Sequence, residues 1–439
     1  MIQSKQDIRK NKENMKYLKY ALLVHSAVIG FGLIFFPLTT THNERSLMNE
    51  LGSPPPWPFF IAINTLANFL RSIADVITPP QITMLEYGFS HQKLALPYVI
   101  QKYKIADFIG NGNGPKSVEE IATYLSITNV EYLERFMYAC VSLDLFKLVG
   151  KRMFVNSRLG ALLKRDHPNS MAGWIGHHYE VGFKAWSNFH HMFEPDQANN
   201  LAWNIAFPEY IFNPSQQRKG VFDMFEKDPE KEEQFGRAME ALEGVGGHAM
   251  AEDGPFKRCS RFIDIGGGRG HFLTKLLRLY GKGPQMRTSI LFDVPSVINV
   301  AKKVFDPELV RQKQVTFLPG DFFNHTTIPK IEDGDCIYLR YILHDWGDLE
   351  VKEILNILRL AIGSKKATLL IGESAMPDRD FVGTPPAVHS IDMEMLVYFG
   401  EAFERYPTYW KKLLNETRFE MDGVHPTRSI LAWVEAHPI

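Results

Sequence analysis

Cysteine is scarce in this chain. Cys140, Cys259 and Cys336 are the only three in 439 residues. They form no metal-ligand pattern and no disulfide framework, so they are expected to be reduced and buried. A charge excess is missing as well. The formal net charge is −1, and no basic stripe is present, which argues against nucleic acid as a partner. Long uncharged apolar runs are also rare. The exception is Tyr20 to Leu38, with Arg9, Lys10, Lys12, Lys16 and Lys19 ahead of it. Its length approaches the ~20 residues that span a bilayer. The basic flank favours a cytosolic N-terminus if the run spans. His25, Ser26, Gly30, Gly32 and Pro37 interrupt it. An in-plane anchor, an organelle-targeting leader or a cleaved signal peptide are therefore alternatives to a span, and a soluble helix is the plain one. The expected location is a membrane or an organelle, with the cytoplasm as the alternative.

What is present suits a globular protein. Apolar residues make up 45% and charged residues 23%, enough for a sizeable core and two or three domains. Residues 1–75 read as an N-terminal extension. In it Leu51 to Pro58 forms a linker, and Phe59 to Leu70 a second apolar stretch. Residues 76–190 read as mostly helical. Lys93 to Phe108 is amphipathic. Ser117 caps a helix with Glu120 three residues on, and Val130 to Leu145 is a further helix. Phe146 to Val155 alternates about a turn at Gly150-Lys151, as a hairpin does. Helices ending in a hairpin describe a winged helix, and the mixed local charge favours dimerisation or a substrate lid over DNA. Phe183 to Phe193 is dense in aromatics and reads as a helix packed in a core. His177-His178 and His190-His191 lack a carboxylate or cysteine at ligand spacing, so no metal is expected.

From 261 on, strands alternate with helices: 261–266, 289–294, 315–319, 335–342, 367–372, 419–425 and 429–435. The expected class is α/β, a doubly wound, mostly parallel seven-stranded sheet that binds ligands at its strand ends. Its first turn is Asp264-Ile265-Gly266-Gly267-Gly268-Arg269-Gly270. Gly266, Gly268 and Gly270 let the backbone turn tightly and approach a ligand. A helix follows, with Phe272, Leu273, Leu276 and Leu279 on one face. Such a loop suits NAD, FAD, another nucleotide or S-adenosylmethionine. Asp264, inside the strand, leans toward a ligand with an ammonium group beside its ribose, which is S-adenosylmethionine. Asp293, ending the next strand, is placed to accept two ribose hydroxyls.

Other strand ends carry chemistry. Asp321 can take an adenine amino group while Phe322 covers the ring; a capped turn is the plain alternative. His344, in Ile342-Leu343-His344-Asp345-Trp346, is suited to take a hydroxyl proton near neutral pH. Glu373 and Glu404 can accept the second N–H of that imidazole and fix its tautomer, with Glu401 competing for the place of Glu404.

These segments occur in one order and together resemble the S-adenosylmethionine-dependent small-molecule O-methyltransferases, which include the caffeic acid and acetylserotonin enzymes. The resemblance covers roughly 80–439. It implies a Rossmann-like class I methyltransferase domain over 191–439 and an N-terminal winged-helix domain that pairs two copies into a homodimer. It also implies His344 as general base, Glu373 and Glu404 as its supports, Asp293 and Asp321 on ribose and adenine, and Arg340 in place of the usual lysine. Met239, Asp345 and Met395 are candidate acceptor contacts. The segment Gly400-Glu401-Ala402-Phe403-Glu404-Arg405 departs from the pattern usual in the family. Methyl transfer to a hydroxyl is the expected activity. Transfer to a small thioether, such as methylthiohydroxybutyrate, and a non-catalytic winged-helix regulator are the alternatives.

Overall fold

The structure, a computed structural model, describes residues 54–110, 114–195, 201–212, 220–283, 285–374 and 386–439. The run Tyr20–Leu38 lies outside them. The chain divides into two units, Met1–Pro79 and Pro80–Ile439. The first holds one described helix, Trp57–Ile77, which starts on a proline at its first turn. Proline costs nothing there, because those N–H groups have no helical partner. The helix stops where Thr78 returns its N–H to the Ala74 carbonyl, just before Pro79-Pro80. None of its residues is buried.

The second unit begins with short helices: Pro80–Gly88, Gln92–Lys102, Ile105–Gly110, Val118–Leu125 and Val130–Ser142. The amphipathic stretch 93–108 is two helices rather than one, because Lys104 takes a left-handed φ of 54° between them. Ser117 and Glu120 form the expected capping box. Strands β1 (Lys116–Ser117), β2 (Phe146–Gly150) and β3 (Met153–Asn156) make an antiparallel sheet in the order β1-β3-β2. The hairpin turns at Lys151-Arg152, one residue later than the sequence suggested, with Arg152 at φ 59°. Ile100, Ile105, Val118, Ile121, Leu133, Met137, Phe146 and Phe154 form the core of this part.

The C-terminal part carries seven strands. They are β4 (Arg261–Ile265), β5 (Ser289–Asp293), β6 (Val315–Pro319), β7 (Asp335–Arg340), β8 (Thr368–Ser374), β9 (Phe419–Pro426) and β10 (Leu431–Pro438). Their order is β6-β5-β4-β7-β8-β10-β9. β4, β5, β6, β7 and β8 are parallel, and β10 runs antiparallel to both β8 and β9. The strand order reverses between β4 and β7, where chains leaving the two strands diverge and open a crevice. Ile263, Ile265, Ile337, Leu339, Leu369 and Ile371 face helix Asp348–Ile362. Phe262, Tyr338, Leu370 and Trp433 face helix His271–Tyr280. On that helix Leu277 is buried and Leu279 is 45% exposed. The apolar stripe is centred between Leu273 and Leu276, which leaves Leu279 at its margin.

The cysteines correct the sequence expectation. Cys259 and Cys336 are joined in a disulfide, and only Cys140 is a free, buried thiol. Seventy-seven residues separate the pair, so no local spacing announces it. The β4–β7 register, with Phe262 opposite Cys336, brings the approach to β4 alongside β7.

Candidate active site

β4 ends at the glycine loop. Gly266, Gly268 and Gly270 have φ of 70°, 57° and 81°, a region that penalises residues with a Cβ. A Cβ at Gly270 would strike Phe305 at 2.5 Å, so that glycine serves packing. At Gly268 a Cβ would meet nothing within 4 Å. This glycine faces open space, and its N–H donates to Asp293 Oδ2 at 2.8 Å. Asp293 Oδ1 accepts from the Val294 N–H at 2.7 Å. Burial pushes the Asp293 pKa up to about 6, against these two N–H groups. Asp264 is buried, and its Oδ2 has no hydrogen-bond partner. Burial pushes its pKa up to about 7, while Tyr338 and Arg340 beside it pull the other way.

Around this loop, Phe322 approaches Gly266: a Cβ there would lie 3.8 Å from the Phe322 ring. Asp321 is exposed, and its Oδ1 accepts from the Phe323 N–H at 2.9 Å, which is the capped turn. One further oxygen remains for a ligand. Arg340 ends β7 and is not free. Its guanidinium lies 2.6 Å from Glu243 Oε2 and covers the Phe272 ring at 4.6 Å. Lys275 holds the other Glu243 oxygen at 3.0 Å. Sequence reasoning missed Glu243, an acid among small residues on helix Pro229–Asp253 with no motif around it.

A buried Asp264 oxygen without a well-formed hydrogen bond, an open glycine surface at Gly268 and the Asp293 carboxylate suit a ligand with an ammonium group and a ribose. These residues fit S-adenosylmethionine.

The second half of the site lies past β7. Tyr341 adopts φ 57°, an uncommon conformation for a bulky residue. It turns the chain into a 3₁₀ turn, Leu343–Asp345, that buries His344. His344 Nδ1 lies 2.6 Å from Glu404 Oε1 and 3.5 Å from Glu373 Oε2. His344 Nε2 stands 3.5 Å from Asp345 Oδ1. Each acid is fixed by the backbone. Glu373 Oε1 accepts from the N–H groups of Ile342 and Leu343 at 3.3 and 3.0 Å. Glu404 Oε2 accepts from the Ser374 N–H at 3.1 Å. Burial pushes the imidazole down, but Glu373, Glu404 and Asp345 outweigh it and carry its pKa up to about 10. Burial raises Glu373, and carries Asp345 up to about 7. The competing Glu401 is exposed and lies by Gly347.

Arg405 was not anticipated. It is 1% exposed and donates to the carbonyls of Leu343 and Trp346 at 3.0 and 2.8 Å. It also pairs with Asp348 at 3.0 Å and reaches the Phe403 carbonyl at 3.5 Å. It pins the turn that presents His344.

The candidate acceptor contacts are dispersed. Met395 is buried in a cluster with Trp203, Met224, Tyr398 and Phe399. Met239 is half-buried, one turn after Phe235, which stacks on Phe225 at 4.3 Å. The aromatic stretch 183–193 is not one core helix. It is a turn at Phe183–Trp186 and a 3₁₀ turn at Phe189–Phe193. Phe183 and Phe193 are exposed, while Trp186 and Phe189 pack at the cluster's margin. His190 and His191 do have a carboxylate beside them. His191 Nδ1 is 2.9 Å from Glu194 Oε1, and the three donors lie within 4.8 Å of one another.

Comparison with known proteins gives the family. Residues 197–420 match the O-methyltransferase domain, and residues 94–166 the O-methyltransferase dimerisation domain. The phenazine O-methyltransferase of Lysobacter antibioticus is 32% identical over 343 residues, covering 78% of this chain and 92% of the relative. The 8-amino-8-demethylriboflavin N,N-dimethyltransferase of Streptomyces davaonensis is 27% identical, covering 80% and 94%. Among solved structures, LaPhzM superposes with a TM-score of 0.71 at 30% identity, over 82% of this chain and 100% of that one. Human N-acetylserotonin methyltransferase shares the fold at a TM-score of 0.70 and 21% identity, over 82% and 98%. These relatives favour neither the thioether reading nor the regulator reading. The chain belongs to the O-methyltransferase family and carries that family's dimerisation domain.

Proposed function

We propose that this chain moves the methyl group of S-adenosylmethionine to a hydroxyl oxygen of a small planar molecule, with His344 as the base. The contact between His344 Nδ1 and Glu404, at 2.6 Å, carries this reading. It assigns the imidazole proton to Nδ1 and leaves Nε2 as the basic nitrogen. The bound donor supplies an electrophilic methyl on a sulfonium. A hydroxyl becomes a strong nucleophile as its proton leaves, so a base at Nε2 does useful work. Glu373 and Glu404 stabilise the imidazolium that results. A thioether has no proton to give up, and the buried base with its two acids would then serve no step. Asp264 holds the donor's ammonium group, Asp293 its ribose hydroxyls and Asp321 its adenine, with Phe322 over the ring. Arg340, neutralised by Glu243, lines the same end. Asp345, Met239 and Met395 contact the acceptor. Transfer from donor labelled with ¹³C at the methyl is expected to give an aryl methyl ether by NMR. A labelled sulfonium or thioether product would overturn the assignment.

In the homodimer the N-terminal helices of one copy close the pocket of the other. Helices interleaved with the strands of the β1-β3-β2 sheet suit a winged helix. Exposed Ile82, Met84, Leu85, Tyr87 and Phe89 offer an apolar surface to a second copy.

We also infer that the N-terminal extension directs the protein to a membrane or an organelle. Besides Tyr20–Leu38, the helix Trp57–Ile77 supports this. Its mean hydropathy reaches 1.4, and at 21 residues it is long enough to cross a bilayer. Deleting residues 1–79 should leave an active, soluble enzyme that loses its membrane fraction. Full-length protein that fractionates with the cytosol, together with misfolding of the shortened chain, would make the segment part of the core.

A further inference from the structure

A group of buried and half-buried polar side chains around Gly182 takes no part in the reaction above. The chain there makes a π-helical turn, His178–Gly182, an irregularity frequent at functional positions. Glu394 and Tyr398 approach it from helix Pro386–Phe399, one turn apart. His178 Nδ1 lies 3.5 Å from Glu394 Oε1, and Trp186 Nε1 donates to Glu394 Oε2 at 2.6 Å. A Cβ on Gly182 would sit 3.1 Å from His178 Nδ1, 3.2 Å from the Tyr398 hydroxyl and 3.4 Å from Glu394 Oε1. Three polar atoms therefore converge on one glycine.

Their hydrogen-bonding capacity is not used up. Glu394 Oε1, the Tyr398 hydroxyl, His178 Nε2 and His177 Nδ1 are all buried without a well-formed hydrogen bond. The Tyr398 hydroxyl faces the Glu394 carboxylate, but the contact falls short of good geometry. Tyr398 is 5% exposed and His177 3%. Native proteins pair nearly all such atoms well, and these loose contacts leave capacity for a further partner. Burial pushes the Glu394 carboxyl up, yet His178, Trp186 and Tyr398 hold it below its usual range, so it is ionised and accepts only.

Aromatic rings surround the cluster. Trp203 meets Tyr398 edge-on at 5.2 Å, and Phe235 meets His177 at 5.4 Å. The helix that carries Glu394 also reaches the base. Asp392, two residues earlier, accepts from the Glu404 N–H at 2.8 Å, and Glu404 holds His344. One rigid helix thus ties the polar cluster to the reacting end of the site.

We propose that Glu394, with His178 and Tyr398, recognises a hydrogen-bond donor on the methyl acceptor: a second hydroxyl or a ring N–H on a planar aromatic molecule, remote from the hydroxyl that is methylated. This rests on the O-methyltransferase reading. The donor hydrogen bonds to Glu394 Oε1, and Tyr398 and His178 complete the pairing around it. An acceptor lacking that donor leaves Glu394 Oε1 with only its loose contacts to His178 and Tyr398, a poorer pairing that sites of this kind discriminate against.

The test uses the full chain with S-adenosylmethionine and matched acceptors: naphthol against dihydroxynaphthalene, and hydroxybenzofuran against hydroxyindole. The donor-bearing member of each pair should have a kcat/KM at least about tenfold higher. Glu394→Met should bring that ratio close to one, and Glu394→Gln, which keeps an acceptor oxygen, should retain part of it. Affinity for S-adenosylhomocysteine, measured by calorimetry, should not move. If Glu394→Met fails to fold, Tyr398→Phe should still lower the ratio at least about threefold. A ratio near one in the wild type, or a ratio intact in the folded variants, overturns the proposal. So does a protein that binds S-adenosylhomocysteine and methylates no member of the panel. Failure to bind S-adenosylhomocysteine at all would instead strike the O-methyltransferase reading.

Discussion

His344→Ala is expected to lower turnover by about 10²–10⁴-fold, the usual worth of a positioned general base. The affinity for S-adenosylhomocysteine should stay within about twofold, because the imidazole faces Glu404 and Asp345 rather than the glycine loop. The pH profile gives a second readout. Glu373, Glu404 and Asp345 hold the free enzyme's imidazole protonated, with a pKa of about 10. An imidazolium cannot accept a proton, so kcat/KM for a hydroxyl acceptor should climb as pH rises from 7 toward 10. The residual activity of His344→Ala should lack that rise. A loss under about tenfold would mean that the acceptor has no proton to remove.

Gly268→Val should abolish measurable binding of S-adenosylhomocysteine, a loss of at least about 10²-fold. Two effects act together. The position has φ 57°, where a β-branched residue is strongly disfavoured. Its Cβ would also point into open space beside Asp293, the volume assigned to the ligand. The same open space is why the fold should survive: no neighbouring atom is struck. Gly267 makes the contrast, since a Cβ there would strike Leu291 at 2.4 Å and the Asp264 carboxyl at 2.5 Å, so its replacement should damage the core itself. Calorimetry gives the affinity and circular dichroism the fold. Near-wild-type affinity in a folded Gly268→Val protein would remove the glycine loop from the cofactor assignment.

Features that depend on local sequence were legible in advance. The seven strands, the Ser117 capping box and the α/β class follow from periodicity and capping chemistry. The motif order also placed His344, Glu373 and Glu404 near one another, and the structure brings both carboxylates within 3.5 Å of the imidazole. Features made by distant partners were not legible. Glu243 meets Lys275 and Arg340 only because helix Pro229–Asp253 packs against helix His271–Tyr280. Arg405 is an ordinary arginine until the 343–346 turn folds against it. Cys259 and Cys336 looked unrelated because parallel pairing across 77 residues leaves no trace in spacing. Glu394 reads as one acid in an apolar stretch, and only the fold reveals that it meets His178 and Trp186. The break at Lys104 escaped notice because a lysine gives no sign that its φ is positive.

The base and its acids come from β7, β8 and the segment before the last helix, and this arrangement bears on how the gene can fail. A stop codon shortly after β8 would keep the glycine loop, Asp293, His344 and Glu373. It would delete Glu404, whose carboxylate touches the imidazole, and Arg405, which pins the turn. It would also remove β10, the antiparallel neighbour of β8. β8 would then become an exposed edge carrying Leu369, Leu370 and Ile371, an invitation to intermolecular pairing. Such a transcript would not yield a slow enzyme. Its product would be inactive and prone to aggregate, so alleles truncated anywhere before residue 404 should behave as complete nulls.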